Sequence, residues 1–153
     1  MEEEQSHRSK DMGLLPINQT LPILLVRARE VSLSYWRDVL ADMEFTEQQW
    51  RVLRVTAELG PLDISSLSQQ TALHMPSVTR ILQTLEKRGY VTRVRDEADS
   101  RRSWIDVTEA TRAKIASASE HSEAVYSEIT AAFDQIKMQD LIRLLTEFSE
   151  IRK

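Results

Sequence analysis

The polar and basic side chains between His74 and Thr108 are those best placed to do chemistry in this chain. A helical pattern follows Pro76, which suits the first turn of a helix because its missing N–H costs nothing there. At about 100° per residue, Arg80 projects opposite the apolar stripe of that helix. The hydrogen-bonding and cationic residues around it are Ser77, Thr79, Gln83, Thr84 and Lys87. Such groups donate to phosphate oxygens and to the edges of nucleic-acid bases.

A second set of basic residues follows in a predicted hairpin. Tyr90–Arg95 and Trp104–Val107 alternate apolar and polar residues with period two, as half-buried strands do. The segment DEADSRRS between them is too polar to pack and too short to form another domain. We expect Asp99 to orient Arg101 at the tip. The cations offered by the hairpin are Arg93, Arg95, Arg101 and Arg102.

The elements that must position these side chains are helices. Thr46–Gln49 has the pattern of a capping box that opens a helix from Glu47 to about Leu59. That helix is apolar on more than one side, so we expect it to be sandwiched inside the fold. Asp63 can cap a short helix, Ile64–Thr71, while Leu62 and its neighbours can pair briefly with the hairpin.

The helix that follows Pro76 has an apolar stripe and ends before Gly89. Gly89 follows Lys87 and Arg88, so the helix ends with its cations on the favourable side of the dipole. The stripe consists of Val78, Ile81, Leu82 and Leu85. The predicted fold class is therefore mainly α with a small β-wing, a winged helix-turn-helix. In that fold a helix enters the DNA major groove and the wing touches the backbone.

Helices on both sides of this region predict a dimerisation frame. Thr20 can cap a helix from Leu21 to about Ala41, Thr108 can cap a long helix to about Phe133, and Asp134 can start a last one. The long helix has a coiled-coil-like seam with spacings of four and three: Ile115, Ser119, Ser122, Tyr126, Ile129 and Phe133. A homodimer would match two DNA half-sites, and the alternative is an intramolecular bundle.

This pattern divides the chain into four parts. We expect residues 1–20 to form a mobile N-terminal tail and residues 21–45 to form the first helix of the frame. Residues 46–108 form the winged helix-turn-helix DNA-binding region. Residues 109–153 form the C-terminal dimerisation helices.

The distribution of charge favours DNA binding over the alternative, an ordinary α+β fragment whose charged side chains are only solvated. The whole chain carries a net charge of −4. The stretch 71–105 holds seven basic and four acidic residues, a net of +3. A locally basic face on an acidic protein suits phosphate contact without indiscriminate binding of polyanions.

Composition excludes several other classes of protein. A hydrophobic content of 41% and a charged content of 29% are typical of a soluble globular protein. No apolar run reaches the roughly 20 residues of a membrane span, and no signal peptide is recognisable, so we expect a cytoplasmic protein. Without cysteine there is no disulfide or Cys-based zinc site, and we expect no cofactor.

Two rival functions can be weighed from the residues. An enzyme is disfavoured because His7, His74 and His121 have no metal-ligand spacing and no nucleophile partner. A winged-helix protein-interaction module without a specific DNA site is the alternative. Salt separates the two, since binding through several phosphate contacts weakens steeply as salt rises.

Over nearly its whole length the chain resembles the MarR family of winged-helix regulators. The matching segments are PSVTRIL at 76–82, LEKRGYV at 85–91, DSR at 99–101 and VT at 107–108. Within the family, ARE at 28–30, SYWR at 34–37 and TEQQWR at 46–51 are similar to the repressors of homoprotocatechuate degradation. The chain departs from the family pattern at Ala72, where glycine is usual, and at Ser68 and Thr111.

The resemblance implies a homodimeric repressor on a pseudo-palindromic operator, released by a small aromatic (phenolic) acid. It also implies that the first two helices meet beside the winged helix, with Arg29 at the edge of an apolar slot. Arg29, rather than Arg51, is expected to hold the carboxylate of the acid. The aromatic walls are Tyr35, Trp36 and Trp50. Alternatively, Arg29 is a surface arginine that only pairs with a neighbouring acid.

Overall fold

The structure is a computed structural model that describes residues 13–96 and 102–151, apart from the side chains at 119 and 120. After a 3-10 turn at Ile17–Gln19 come helices and a two-stranded antiparallel wing, which confirms the predicted fold class. The elements are α1 Leu21–Asp42, α2 Glu47–Leu59, α3 Ile64–Thr71, α4 Met75–Lys87, β1 Val91–Arg95, β2 Ser103–Val107, α5 Glu109–Ser117, α6 Ser119–Phe133 and α7 Gln135–Ser149. Among the described residues, no helix is both long and apolar enough to cross a membrane.

The chain divides into two compact units, Met1–Arg37 and Asp38–Lys153, and the boundary falls within α1. In the first unit the apolar side chains of α1 stay largely open, with Val26 56% and Val31 60% exposed. The Thr20 hydroxyl donates to the carbonyl of Ile17, which ties the 3-10 turn to the start of α1.

The hydrophobic core lies in the second unit. Side chains from α2, α3, α4 and the wing are almost completely buried there: Val52, Leu53, Leu67, Val78, Leu82, Leu85, Val91, Ile105 and Val107. The capping box of α2 forms as predicted, with Thr46 and Gln49 exchanging hydrogen bonds of 3.0 and 3.2 Å. The expectation that α2 is sandwiched on nearly all sides is wrong at its end, because Leu59 is 53% exposed.

The wing joins the helical core through a short bridge. Its strands pair from Val91 opposite Val107 to Arg95 opposite Ser103. Leu62, in the turn before α3, exchanges backbone hydrogen bonds of 3.0 and 2.9 Å with Ile105. This confirms the predicted pairing of that turn with the wing, and it holds the wing against the start of α3.

The single long helix predicted from Thr108 to Phe133 is wrong. Two helices, α5 and α6, meet at Ala118, which is 4% exposed. Its N–H donates to the carbonyl of Ile115 at 3.1 Å, a three-residue bond that tightens the last turn of α5. The Ser117 hydroxyl competes for the backbone in the same turn by donating to Lys114 at 2.8 Å.

The last helix begins where the sequence predicted. Asp134 has a φ of 85° and its carboxylate accepts hydrogen bonds from the N–H groups of Ile136 and Lys137. No residue of α7 is buried. Its exposed apolar side chains are Ile136, Leu141, Ile142, Leu144, Leu145 and Phe148.

Candidate nucleic-acid interface

Helix α4 is strongly amphipathic. Val78, Leu82 and Leu85 are fully buried on one side, with 0% exposure each. The opposite side presents Ser77, Arg80, Gln83, Thr84 and Lys87 to solvent. Within the described part of the chain, the guanidinium of Arg80 has no ion-pair partner. Packing therefore fixes the helix while leaving its polar face available to a ligand.

The two threonines of this face differ from Ser77 in their present hydrogen bonds. The Thr79 hydroxyl donates to the carbonyl of Met75 at 3.0 Å, and that of Thr84 donates to the carbonyl of Arg80 at 3.2 Å. A phosphate contact by either hydroxyl proton would require it to leave its own helix backbone. Ser77, exposed in the first turn, lies where helix N–H groups also favour an anion.

The basic residues of the wing fall into different environments. Arg93 lies 3.5 Å from Glu86, an ion pair that joins β1 to α4. Arg95 is exposed, and no carboxylate of the described residues pairs with it. Arg102 pairs with Asp63 at 2.5 Å. Asp99 and Arg101, predicted at the tip, lie outside the described residues.

Four side chains form what we term the wing-base cluster: Asp63, Asp96, Arg102 and Trp104. The Arg102 guanidinium lies 5.3 Å from the centre of the Trp104 ring, whose N–H donates to Asp96 at 2.7 Å. Asp63 also accepts from the N–H of Ser66 at 2.8 Å, the predicted cap of α3. One carboxylate thus caps a helix and holds the wing.

Electrostatics at the cluster follows from these contacts. The hydrogen bond from Arg102, followed by that from the Ser66 N–H, lowers the pKa of Asp63 from 3.8 to about 2. Asp63 is therefore ionised at neutral pH. Sequence reasoning identified Asp63 as a cap but could not pair it with Arg102, which lies 39 residues away.

Arg88, one of the seven basic residues of the stretch 71–105, packs against aromatic side chains of the core. Its guanidinium lies 4.9 Å from the Tyr90 ring centre and donates to the carbonyl of Glu44 at 3.0 Å. Phe45 and Tyr90 meet edge to face, with ring centres 4.8 Å apart. Lys114 of α5 lies over the same two rings, 5.0 Å from Phe45 and 5.5 Å from Tyr90. The sequence pattern carried no signal for this arrangement.

The predicted effector residues are placed as follows. In the second unit Arg51 donates to Glu47 and to the carbonyl of Thr71, and Trp50 stacks on Phe45 with ring centres 6.3 Å apart. In the first unit the Arg29 guanidinium lies 3.0 Å from the Glu30 carboxylate. Tyr35 and Trp36, also on α1, are half-buried. The described residues contain no cluster of His, Asp or Glu that could hold a metal ion.

Comparison with known proteins agrees with this geometry. Residues 45–103 match the MarR family. The homoprotocatechuate degradative operon repressor of Escherichia coli is 36% identical over 132 residues, which is 86% of this chain and 89% of that protein.

Solved structures give the same result. The transcriptional regulator PA4135 superposes with a TM-score of 0.84 at 34% identity, covering 88% of this chain and 98% of that one. NadR in complex with 4-hydroxyphenylacetate superposes with a TM-score of 0.75 at 34% identity, covering 87% and 94%. A regulatory rather than an enzymatic protein is therefore indicated. With its exposed α4 face and its wing, the chain belongs to the MarR family of DNA-binding transcriptional regulators.

Proposed function

We propose that the protein is a homodimeric repressor that binds a pseudo-palindromic operator and is released from it by a small aromatic (phenolic) acid. The observation that carries the proposal is the polar face of α4, which lies opposite a completely buried stripe. On that face Arg80 is exposed and has no carboxylate partner among the described residues. A positioned arginine of this kind can bind guanine bidentately in the major groove.

The other predicted DNA contacts divide by role. Ser77 and Thr79 would bind phosphates at the start of α4, with Gln83, Thr84 and Lys87 farther along the same face. Arg95 would reach the DNA backbone from β1. Arg101, oriented by Asp99, would reach the minor groove or its phosphates. Arg93 and Arg102 already hold Glu86 and Asp63, which supports a positioning role for both.

A second copy of this chain is the proposed cover for α7. This helix has no buried residue, and several of its large apolar side chains are exposed to solvent. Leu144 is 53% exposed, Phe148 47% and Ile136 71%. Contiguous apolar surface of this kind commonly marks a protein interface. The geometry favours the dimer over the intramolecular bundle, with residues 109–153 as the dimerisation helices and 46–108 as the DNA-binding region.

The effector class rests on similarity and on two arginines. NadR, 34% identical, has been solved with 4-hydroxyphenylacetate bound. Arg29 is the preferred partner for such a carboxylate because its side chain, 49% exposed, lies at the edge of the apolar stripe of α1. Arg51 would instead have to give up Glu47 and the Thr71 carbonyl.

The proposal is tested with DNA fragments recovered from the source genome on the immobilised protein. Fluorescence anisotropy on a recovered fragment should show affinity falling by roughly 10³–10⁵ between 50 and 200 mM salt if 6–10 phosphates are contacted. Failure to retain any fragment, or a salt-independent signal, would support the protein-interaction alternative instead.

Release is tested on the same complex with 4-hydroxyphenylacetate. Binding releases DNA only if the ligand prefers a dimer whose recognition helices are wrongly spaced, since equal affinity for both states shifts nothing. Arg29→Ala should lose this response and keep its DNA affinity, whereas Arg37→Ala, a charge-matched change on the same helix, should keep both. A normal response in Arg29→Ala would place the carboxylate elsewhere.

A further inference from the structure

Met75, the first residue of helix α4, presents an apolar side chain to solvent at the end of that helix. Its side chain is 52% exposed, while that of Val78, three residues later, is completely buried. Packing in the core therefore does not account for a methionine at this position. Single apolar side chains are common on protein surfaces, so the place of Met75 relative to the DNA-binding face decides its role.

The backbone on both sides of Met75 is held in place. Its carbonyl accepts a hydrogen bond of 3.0 Å from the Thr79 hydroxyl, one turn farther along α4. Pro76 fixes the next φ, and Leu73, two residues earlier, packs against the core. The carbonyl of Leu73 in turn accepts a hydrogen bond of 2.6 Å from the Ser68 hydroxyl. The Met75 side chain thus extends from a fixed point, while its own torsions let it adapt to a surface.

Met75 and Arg80 lie at different places on α4. At about 100° and 1.5 Å per residue, they are separated by about 140° around the helix axis and about 7.5 Å along it. Helix side chains lean toward the N-terminus, so Met75 overhangs the starting end of α4. In helix-turn-helix proteins the N-terminal residues of this helix contact base edges in the major groove. The two side chains can therefore contact different base pairs of one half-site.

The chemistry of a thioether restricts the base that Met75 can recognise. In the major groove adenine, guanine and cytosine present hydrogen-bond donors and acceptors, whereas thymine adds a C5 methyl group. A methionine side chain donates no hydrogen bond, and its sulfur is a weak acceptor. Against a polar base edge it would displace water without replacing the hydrogen bonds of that water. The thymine methyl group, in contrast, offers apolar surface that both partners gain by burying.

We propose that Met75 is a specificity-determining residue that packs against the C5 methyl group of one thymine in each operator half-site. It adds a preference for thymine at a base pair distinct from the one that Arg80 contacts. The inference rests on the proposed binding of DNA by the polar face of α4. It requires neither an effector nor a particular mechanism of release.

Replacement of thymine by uracil tests the contact, because it removes the C5 methyl group and keeps every hydrogen-bonding group of the base. Each thymine within the footprint on a recovered genomic fragment is replaced in turn by deoxyuridine, and affinity is measured by fluorescence anisotropy. For the parent protein, one thymine in each half-site should show about a fourfold loss, the effect of leaving one methyl group unburied. Met75→Ala should bind the thymine duplex and its uracil counterpart equally.

Two further variants separate this contact from a change in folding. Both duplexes are compared on one preparation of each variant, so a loss of folded protein cancels from the ratio of affinities. Met75→Leu should keep a preference for thymine of about two- to fourfold, since the contact needs apolar surface rather than sulfur. Leu59→Ala, at the end of α2 and at a position of similar exposure (53%), should keep the full ratio of the parent protein.

The outcomes distinguish this inference from the proposed function. Equal ratios for the parent protein and Met75→Ala overturn the contact, as does a footprint in which no thymine is sensitive to replacement by uracil. If affinity in those cases still falls steeply with salt, DNA binding stands and only the role of Met75 fails. If the parent protein binds no recovered fragment, the proposed function fails and the inference about Met75 fails with it.

Discussion

Asp63→Asn is expected to loosen the wing without unfolding α3. The asparagine oxygen can still accept the Ser66 N–H, because asparagine is as good an N-cap as aspartate. What is lost is the ionic hydrogen bond to Arg102, whose side chain is 51% exposed while that of Asp63 is 13% exposed. Exposed pairs contribute about 0.2–1 kcal/mol and hydrogen bonds to charged groups about 1.5–3 kcal/mol. For this half-exposed pair we expect a loss of about 1 kcal/mol.

The pH dependence has a definite sign. Arg102 and Ser66 lower the pKa of Asp63 from 3.8 to about 2 in the folded protein. The ionised carboxylate therefore makes its full contribution to stability at pH values above 3.8, the pKa in the unfolded chain. The contribution is then lost as pH falls through about 2. The difference in unfolding free energy between parent and Asp63→Asn should therefore be full at pH 7 and shrink between about pH 4 and pH 2.

Urea unfolding followed by circular dichroism measures this difference. Asp140→Asn is the matched control, because Asp140 also pairs with an arginine, Arg143, but in an exposed pair at 3.4 Å. The control should lose only a few tenths of a kcal/mol. The argument is refuted if both variants lose equal stability at pH 7, or if the deficit of Asp63→Asn persists unchanged at pH 2.

The remaining predictions concern DNA and the helix-turn-helix turn. Arg80→Ala should weaken specific operator binding by about 1–3 kcal/mol and relax the preference at one base pair, measured by anisotropy on operator variants, with Lys137→Ala as control; retained selectivity would contradict it. Asp99→Ala should weaken DNA binding although it removes a negative charge, and tighter binding would disprove the orienting role. Ala72→Gly should raise the free energy of unfolding by about 0.5–1 kcal/mol. Ala72 has a φ of 51°, a left-handed conformation that costs about 1–2 kcal/mol for alanine and less for glycine. A lower urea midpoint for the variant would show that Ala72 is not strained.

Local signals explain most of what the sequence predicted. The Thr46 capping box, the Asp63 cap and the Gly89 stop each depend on residues within four positions, and all three lie where expected. The buried stripe of α4 follows from periodicity in the same way. Ala72 shows the limit of such signals, since its turn holds a positive φ without the glycine that would announce it.

The rest depends on contacts between distant segments. The break at Ala118 was missed because the apolar spacing continues across it, and the three-residue hydrogen bond that marks it has no signal in the sequence. Arg88 and Arg102 were counted as a basic surface, yet each is held by residues far along the chain. A count of charges along the sequence cannot distinguish an arginine that packs on Tyr90 from one that is exposed and able to bind a phosphate.

The three tryptophans give the protein a built-in set of optical reporters. Trp36 lies on α1, Trp50 stacks against Phe45, and Trp104 lies beneath a guanidinium in the wing. Indole emission responds to neighbouring charge and hydrogen bonding, so each ring should have its own wavelength and quenching. Variants that keep one tryptophan and replace the other two with phenylalanine would report separately on the first helix, the core and the wing. Changes at the wing on DNA binding can thus be timed by stopped-flow fluorescence without any attached dye.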